Sequence, residues 1–475
     1  MGIQKILVLE RDVDEATGCS LDKIASSHKK IESACCTLKK CLYLCTRQKC
    51  NNVQKYRVME IKREIHLNRI IARKGNGMIK VITGMRRCGK SYLLFTLFYN
   101  FLKKQGVDDA HIIKVDLEDR RNATLRDPDA LLRYIDSKMT DNLPYFILLD
   151  EVQFVREFED VLNSYLKIPN ADVYVTGSNA KFLSKDIITE FRGRGDEIHI
   201  TPLSFQEFVS VKEGSQESLL MEYLTYGGLP QVATMADQQQ KIEYLKSLFT
   251  HTYIRDIKER YNIQKDDDLE ELISIIASNI GSMTNPTKLE NSFKSVKRSV
   301  LSKDTIKVYL ELLQDAFLIE KSIRYDIKGK KYIDTPSKYY FTDLGLRNAR
   351  LNFRQTEFTH LMENAIYNEL RLRGLSVDVG QVSVTKGGED GKRQRSILEV
   401  DFVCNQGYKR FYIQSAYALP TEEKKEQELN SLLKIKDSFP KIVIVGTPTP
   451  TYQTEEGITI MNVYDFLMNK NSLNV

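Results

Sequence analysis

No apolar run in this chain approaches the ~18 residues that a membrane-crossing helix needs, although 42% of its 475 residues are hydrophobic. The early stretch Ile6-Leu7-Val8-Leu9 is too short, and too quickly followed by acids, for a signal peptide. A cytoplasmic protein with no membrane contact is expected. Charge of one sign is also missing. The net value is +6, but residues 1–58 hold 11 Lys/Arg against 6 Asp/Glu, and the other 417 residues hold 59 against 58. A balanced body offers no general attraction to nucleic acid, which leaves only local patches for that purpose. Metal-type cysteine spacing is absent as well. Six of eight cysteines fall at Cys19, Cys35, Cys36, Cys41, Cys45 and Cys50, yet no CxxC pair occurs and the only histidine nearby is His28. Structural zinc is therefore not expected, and a disulfide framework does not suit a cytosolic chain. Neither internal repeats nor low-complexity linkers occur, and the length suits about two to four domains. Residues 1–58 read either as a loosely ordered extension or as sequence upstream of a start at Met59, where Glu60-Ile61-Lys62-Arg63-Glu64 opens a helix.

The most informative stretch is Gly84-Met85-Arg86-Arg87-Cys88-Gly89-Lys90-Ser91. It follows the apolar strand Ile79-Lys80-Val81-Ile82-Thr83 and precedes a helical pattern from Tyr92 to Lys103. Strand, glycine-bounded loop, lysine, hydroxyl and helix form the P-loop order. Gly84 and Gly89 let the backbone, Arg87 included, curl so that its N–H groups face a phosphate chain. The helix N-terminus adds partial positive charge. Lys90 is suited to the β- and γ-phosphates of ATP, and Ser91 to Mg²⁺.

Downstream, Tyr145-Phe146-Ile147-Leu148-Leu149-Asp150-Glu151 is an apolar run without alternation that ends in two acids. Such a run suits a parallel strand buried on both faces. At its end Asp150 is placed to bind Mg²⁺ through water, and Glu151 to polarise the attacking water. A further strand, Asp172 to Gly177, ends at Ser178-Asn179. If that strand lies between the other two, Asn179 is placed to orient the water. Phe191-Arg192-Gly193-Arg194-Gly195 offers two arginines. Arg194 reads equally as an arginine finger, in cis or from a neighbouring subunit, and as part of a basic turn.

These pieces, with Pro202-Leu203-Ser204-Phe205-Gln206-Glu207-Phe208, Tyr226-Gly227-Gly228-Leu229-Pro230 and Tyr253-Ile254-Arg255-Asp256-Ile257, resemble the bacterial and archaeal AAA+-type ATPases that carry a carboxy-terminal DUF4143 domain. The resemblance covers nearly everything after Met59, and it implies ATP binding and hydrolysis. In related signalling ATPases a similar Gly-Leu-Pro packs its proline against the adenine, which implies that role for Pro230. The alternative for Pro230 is an ordinary helix start. Arg255 is a candidate nucleotide sensor, or a surface partner of Asp256 or Glu259.

Residues 267–350 read as three helices and a hairpin around Lys328-Gly329-Lys330-Lys331, a winged-helix pattern. Lys328, Lys330 and Lys331 either touch DNA phosphates or solvate a hairpin tip. From about Phe358 the order helix, strand, strand, helix, strand resembles a restriction-endonuclease-like core. Glu363, Glu399 and Asp401 supply acids there. The second strand ends Gln414-Ser415-Ala416, without the lysine a nuclease of this shape uses, and Lys409 and Lys424 are the nearest substitutes. Little or no nuclease activity is expected.

The expected fold class is thus α/β: a P-loop core over residues 59–210, a helical lid over 211–266, a winged-helix region over 267–350, and an endonuclease-like domain over 351–475. The expected function is an ATP-driven switch with a protein partner or a homo-oligomeric form. The alternatives are a DNA-acting ATPase or nuclease, and an interaction protein locked by ATP without hydrolysis.

Overall fold

The computed structural model describes residues 60–177, 191, 193–255, 257–258, 263, 266–297, 301–354, 357–387 and 393–474. Residues 1–58, Ser178, Asn179, Arg192, Asp256 and Glu259 lie outside the described residues.

Five short strands carry the first sheet: β1 (Ile79–Gly84), β2 (Ile112–Asp116), β3 (Tyr145–Asp150), β4 (Ala171–Thr176) and β5 (Gly195–Ile200). Their order is β2-β3-β4-β1-β5, and every pairing is parallel. All six residues of β1 and all six of β3 are buried, as strands covered by helices on both faces must be. Alternation decides which side each residue serves. Val81, Val115, Ile147, Leu149 and Val175 face the helices Pro128–Lys138 and Phe158–Tyr165. Ile82, Leu148 and Tyr174 face the helix over residues 90–104. The order puts β4 between β1 and β3, the arrangement on which the Asn179 reading depended. β5 itself was not foreseen, because the sequence reading stopped at the turn that precedes it.

A helical layer follows. Ser204 and Glu207 form a reciprocal capping box at Phe205–Val209. The helices Gln216–Tyr226, Pro230–Thr234 and Gln238–Leu248 come next, and the last runs on through Phe249–Ile254. The three helices expected before the hairpin are present as Asp266–Ser278, Pro286–Lys297 and Lys303–Asp315.

The hairpin departs from expectation. Its strands β6 (Ile319–Asp326) and β7 (Lys331–Phe341) are not a free wing. β6 pairs in parallel with β8 (Ser376–Gly387), so the hairpin closes one edge of an eight-stranded sheet. That sheet continues through β9 (Arg393–Gln406), β10 (Lys409–Ala416), β11 (Lys441–Val445), β13 (Ile458–Asn462) and β12 (Tyr452–Gln453). The boundary expected at 350/351 therefore runs through a continuous sheet. The helices Phe358–Leu372 and Glu422–Leu433 stand where the endonuclease-like pattern put them, but β8 intervenes between the first helix and β9. Residues 61–475 form one unit with one main core, which contains Ile82 under the phosphate loop, Tyr253, Leu346, Phe402 and Phe466.

Candidate functional site

The loop after β1 is shaped by positions that no ordinary side chain would accept. A Cβ on Gly84 would lie 2.3 Å from the Ile200 carbonyl oxygen of β5, so only glycine lets the two strand ends approach. Arg87 (φ 64°) and Gly89 (φ 97°) both take left-handed backbone and turn the loop back toward the helix. Lys90 is buried and donates to the Gly84 and Met85 carbonyls at 3.0 and 3.1 Å. Its ammonium is thus held inside the curl of the loop.

Ser91 and Asp150 come together although they leave different strands. Asp150 is buried and accepts a hydrogen bond from the Thr176 hydroxyl. Burial pushes its carboxyl up to about 6, with the Thr176 and Ser91 hydroxyls opposing and Glu151 and Asp116 adding like charge. Thr176, at the end of the intervening β4, also accepts the Glu151 N–H at 3.0 Å. Glu151 sits in left-handed backbone at φ 53°, and Gln153 donates to its carboxylate. A hydroxyl and a carboxylate converging beside the lysine form the hard oxygen set that Mg²⁺ takes, so these residues fit that ion.

A cleft of about 370 Å³ opens over the loop. Arg86, Arg87, Gly89, Lys90, Ser91 and Glu151 line one side, and Pro230, Gln231 and Tyr244 line the other. Pro230 opens its helix, and its Cγ lies 3.8 Å from where a Cβ on Gly89 would be. It thus stands at the loop, on the cleft that its expected role requires. Curled backbone, a buried lysine and an apolar proline wall fit a nucleoside triphosphate.

Two expected residues stand elsewhere. Arg194 precedes β5, and its carbonyl accepts from Ile79 at the start of β1, so it lies at the opposite edge of the sheet from Gly84. Five residues of strand, ~17 Å, separate it from the loop in the same chain, which rules out the finger in cis. It lines a concavity with Glu157, Asp160 and Lys167 instead. Arg255 is exposed at the end of its helix and does not line the cleft. Its neighbour Tyr253 does the reaching: the buried hydroxyl donates to the Arg86 carbonyl at 2.6 Å. Asn179 lies outside the described residues. The sequence reading gave no role to Thr176, Glu118 or Tyr253. A hydroxyl closing an apolar strand is a usable signal for Thr176, whereas Tyr253 has none, because its partner is 167 residues away.

In the carboxy-terminal sheet a lysine is present, but neither expected candidate supplies it. Lys338 of β7 is buried and reaches Glu363 at 2.8 Å, Glu399 at 2.8 Å and Asp401 at 3.3 Å. Burial opposes its charge, but Tyr340 and the three carboxylates outweigh that and raise its pKa well above the usual lysine value. Lys424 pairs with Glu428 at 2.6 Å, and Lys409 lies at the far end of β10. Among the described residues, no group of three or more His, Cys, Asp or Glu is arranged to hold a metal, and no helix is long and apolar enough to cross a membrane.

The phosphate loop, the acid-ended strand one strand away and the β2-β3-β4-β1-β5 order define a P-loop protein of the AAA+ class. A family model described as an AAA domain matches residues 76–209. A second, described as a domain of unknown function, DUF8612, matches residues 217–357, nearly all of which precede the 351–475 span where the DUF4143 domain is expected. An uncharacterized protein of Haemophilus influenzae is 35% identical over 415 residues, which is 86% of this chain and 98% of that protein. An uncharacterized protein of Methanocaldococcus jannaschii is 31% identical over 400 residues, 80% of this chain and 84% of that one. The chain belongs to one family with these two uncharacterized proteins, and it carries an AAA domain over residues 76–209. Among solved structures, Cdc6p of Pyrobaculum aerophilum is similar at 12% identity and a TM-score of 0.27, covering 64% of this chain and 96% of that one. A likeness that distant carries no functional argument.

Proposed function

We propose that the chain is a Mg²⁺-dependent ATPase that works as a nucleotide-driven switch. The observation that carries this reading is the buried Lys90 held inside the curl of the loop, with Ser91 next to it on the cleft and its hydroxyl acting on the buried carboxylate of Asp150. Lys90 and the loop N–H groups bind the triphosphate, and Ser91 and Asp150 hold Mg²⁺, which supplies charge neutralisation. Glu151 orients and polarises the attacking water, and Asn179, outside the described residues, assists it in this reading. Arg87 and Pro230 complete the pocket around phosphates and base. Arg194 acts only in trans, on the site of a neighbouring subunit in a homo-oligomer. The protein is cytoplasmic in this reading. The test is ATP turnover by the purified chain, with and without DNA, with the particle mass measured in each state. Turnover absent from native chain, with nucleotide tightly retained, favours the ATP-locked interaction protein instead.

A second reading, action on nucleic acid, draws on Lys338. An ammonium among Glu363, Glu399 and Asp401 supplies the lysine that the sequence reading found missing. Against cleavage, that same ammonium occupies the centre on which the carboxylates converge, so a metal has to displace it. Lys330 and Lys331, at the hairpin turn, remain candidates for phosphate contact, whereas Lys328 donates to the Ser383 carbonyl at 2.7 Å.

A further inference from the structure

Pro230 stands on the phosphate loop because the turn before it is gripped from two sides. On one side Leu203 N–H donates to the Gly228 carbonyl at 2.7 Å, and a Cβ on Gly228 would lie 2.4 Å from the Leu203 oxygen. On the other side stands Asp343, 1% exposed, more than a hundred residues downstream. Its carboxylate accepts the Gly228 N–H at 2.8 Å. The same carboxylate caps the helix Leu344–Arg350 by accepting the Leu346 N–H at 3.0 Å. It is therefore shared between two helix starts, one bearing Pro230 and the other belonging to the carboxy-terminal half. Two glycines make that sharing sterically feasible. A Cβ on Gly227 would lie 2.4 Å from the Asp343 carboxylate, and one on Gly345 would lie 2.0 Å from the Tyr226 carbonyl oxygen.

The helix that Asp343 caps is anchored in turn. Asn348 donates to the Leu224 and Thr225 carbonyls at 3.0 and 2.8 Å, and Arg347 to the Ala277 carbonyl at 2.8 Å. Just before Asp343, the backbone of Phe341 exchanges two 2.8 Å hydrogen bonds with the Asn364 side chain, one helical step from Glu363. A short run of buried contacts thus leads from the phosphate loop through Pro230 and Asp343 to the helix of the acid cluster.

We propose that Asp343 is a positioning residue of the nucleotide site: it holds Pro230 against the phosphate loop and makes nucleotide affinity depend on the placement of the carboxy-terminal half. The inference rests on the ATP-site reading above. Asp343 does not line the cleft, so it acts only through the turn. Linkage then works in both directions, and nucleotide bound against Pro230 stabilises the docked position of the helix Leu344–Arg350 by the same factor.

The test is a double-mutant cycle on the full chain, with a non-hydrolysable ATP analogue as the probe. Asp343→Asn keeps the shape and one acceptor. Asp343→Ser keeps a helix cap for Leu346 but is too short to reach Gly228, which guards against a variant that fails for want of a cap. Each is expected to weaken analogue binding about tenfold, the loss of one charge-assisted hydrogen bond. In turnover, KM rises while kcat is little changed, since Asp343 touches no reacting atom. Pro230→Ala weakens binding too, and Asp343→Asn combined with Pro230→Ala is expected to lose no more than the larger single effect. Strictly additive losses, or native affinity in both Asp343 variants, overturn the inference and leave the ATP site standing. Failure of the native chain to bind the analogue at all sinks the ATP-site reading, and the inference with it.

Discussion

The Tyr253 hydroxyl donates to the Arg86 carbonyl at 2.6 Å, tying the helical layer to the phosphate loop. Burial keeps that phenol protonated and therefore a donor. Tyr253→Phe keeps the packing and orphans the carbonyl, a loss of roughly 1–3 kcal/mol. We expect ATP affinity to fall about tenfold with the thermal midpoint only slightly lowered, as read by calorimetric titration and a melting curve. Unchanged affinity would show that the loop keeps its shape without this tether.

The division of labour between Lys90 and Glu151 predicts distinct failures. Lys90→Ala removes the cation held in the loop and should weaken ATP binding. Glu151→Gln keeps the side chain's shape and should retain binding while slowing the chemical step by roughly 10²-fold or more. Single-turnover kinetics separate the two, and normal turnover in Glu151→Gln removes Glu151 from the mechanism.

Asp343 gives a pH dependence whose sign follows from its burial. Burial raises its folded-state pKa to about 6 from 3.8, against the pull of backbone donors that include the Gly228 and Leu346 N–H groups. The folded state therefore holds the proton more tightly than the unfolded chain. Its contribution to stability is full below the unfolded value and is lost as pH rises through about 6, roughly 3 kcal/mol across that window. Urea unfolding between pH 4 and 7 should show native stability falling relative to Asp343→Asn, which has no proton to lose. Parallel pH profiles for the two proteins would count against this assignment.

Lys338 is expected to be structural before it is anything else. Lys338→Met leaves Glu363, Glu399 and Asp401 without their shared cation and should cost roughly 3–5 kcal/mol in urea unfolding. The native chain, incubated with single- and double-stranded DNA and RNA, Mg²⁺ or Mn²⁺ and ATP, should give little or no cleavage. Cleavage that vanishes in Asp401→Ala but survives Lys90→Ala makes the protein a nuclease after all.

Features that depend on neighbours in the chain were readable from the residues. Gly84 to Ser91 announces a strand–loop–helix turn because backbone freedom, a lysine and a hydroxyl must stand in that order. Tyr145 to Asp150 announces a strand buried on both faces because its apolar run has no period. The helices 266–278 and 303–315 followed from spacing and a cap. Features that depend on distant partners were not readable. β8 carries Val377, Val379, Val382 and Val384 in alternation, but the alternation breaks where the register shifts between Asp378 and Gly380, and its partners on both edges came only from the tertiary fold. The hairpin β6–β7 looked like a wing because nothing local says that β6 has a parallel partner. Arg194 read equally as a finger, in cis or in trans, and as part of a basic turn because β5 was not anticipated; the β1–β5 register puts it at the strand end away from the phosphate loop, which leaves no role in cis. Lys338 and Asp343 are ordinary residues along the chain. Their roles arise where the tertiary fold brings three carboxylates around one ammonium, and two helix starts around one carboxylate, in places too dry for either charge to stand unpaired.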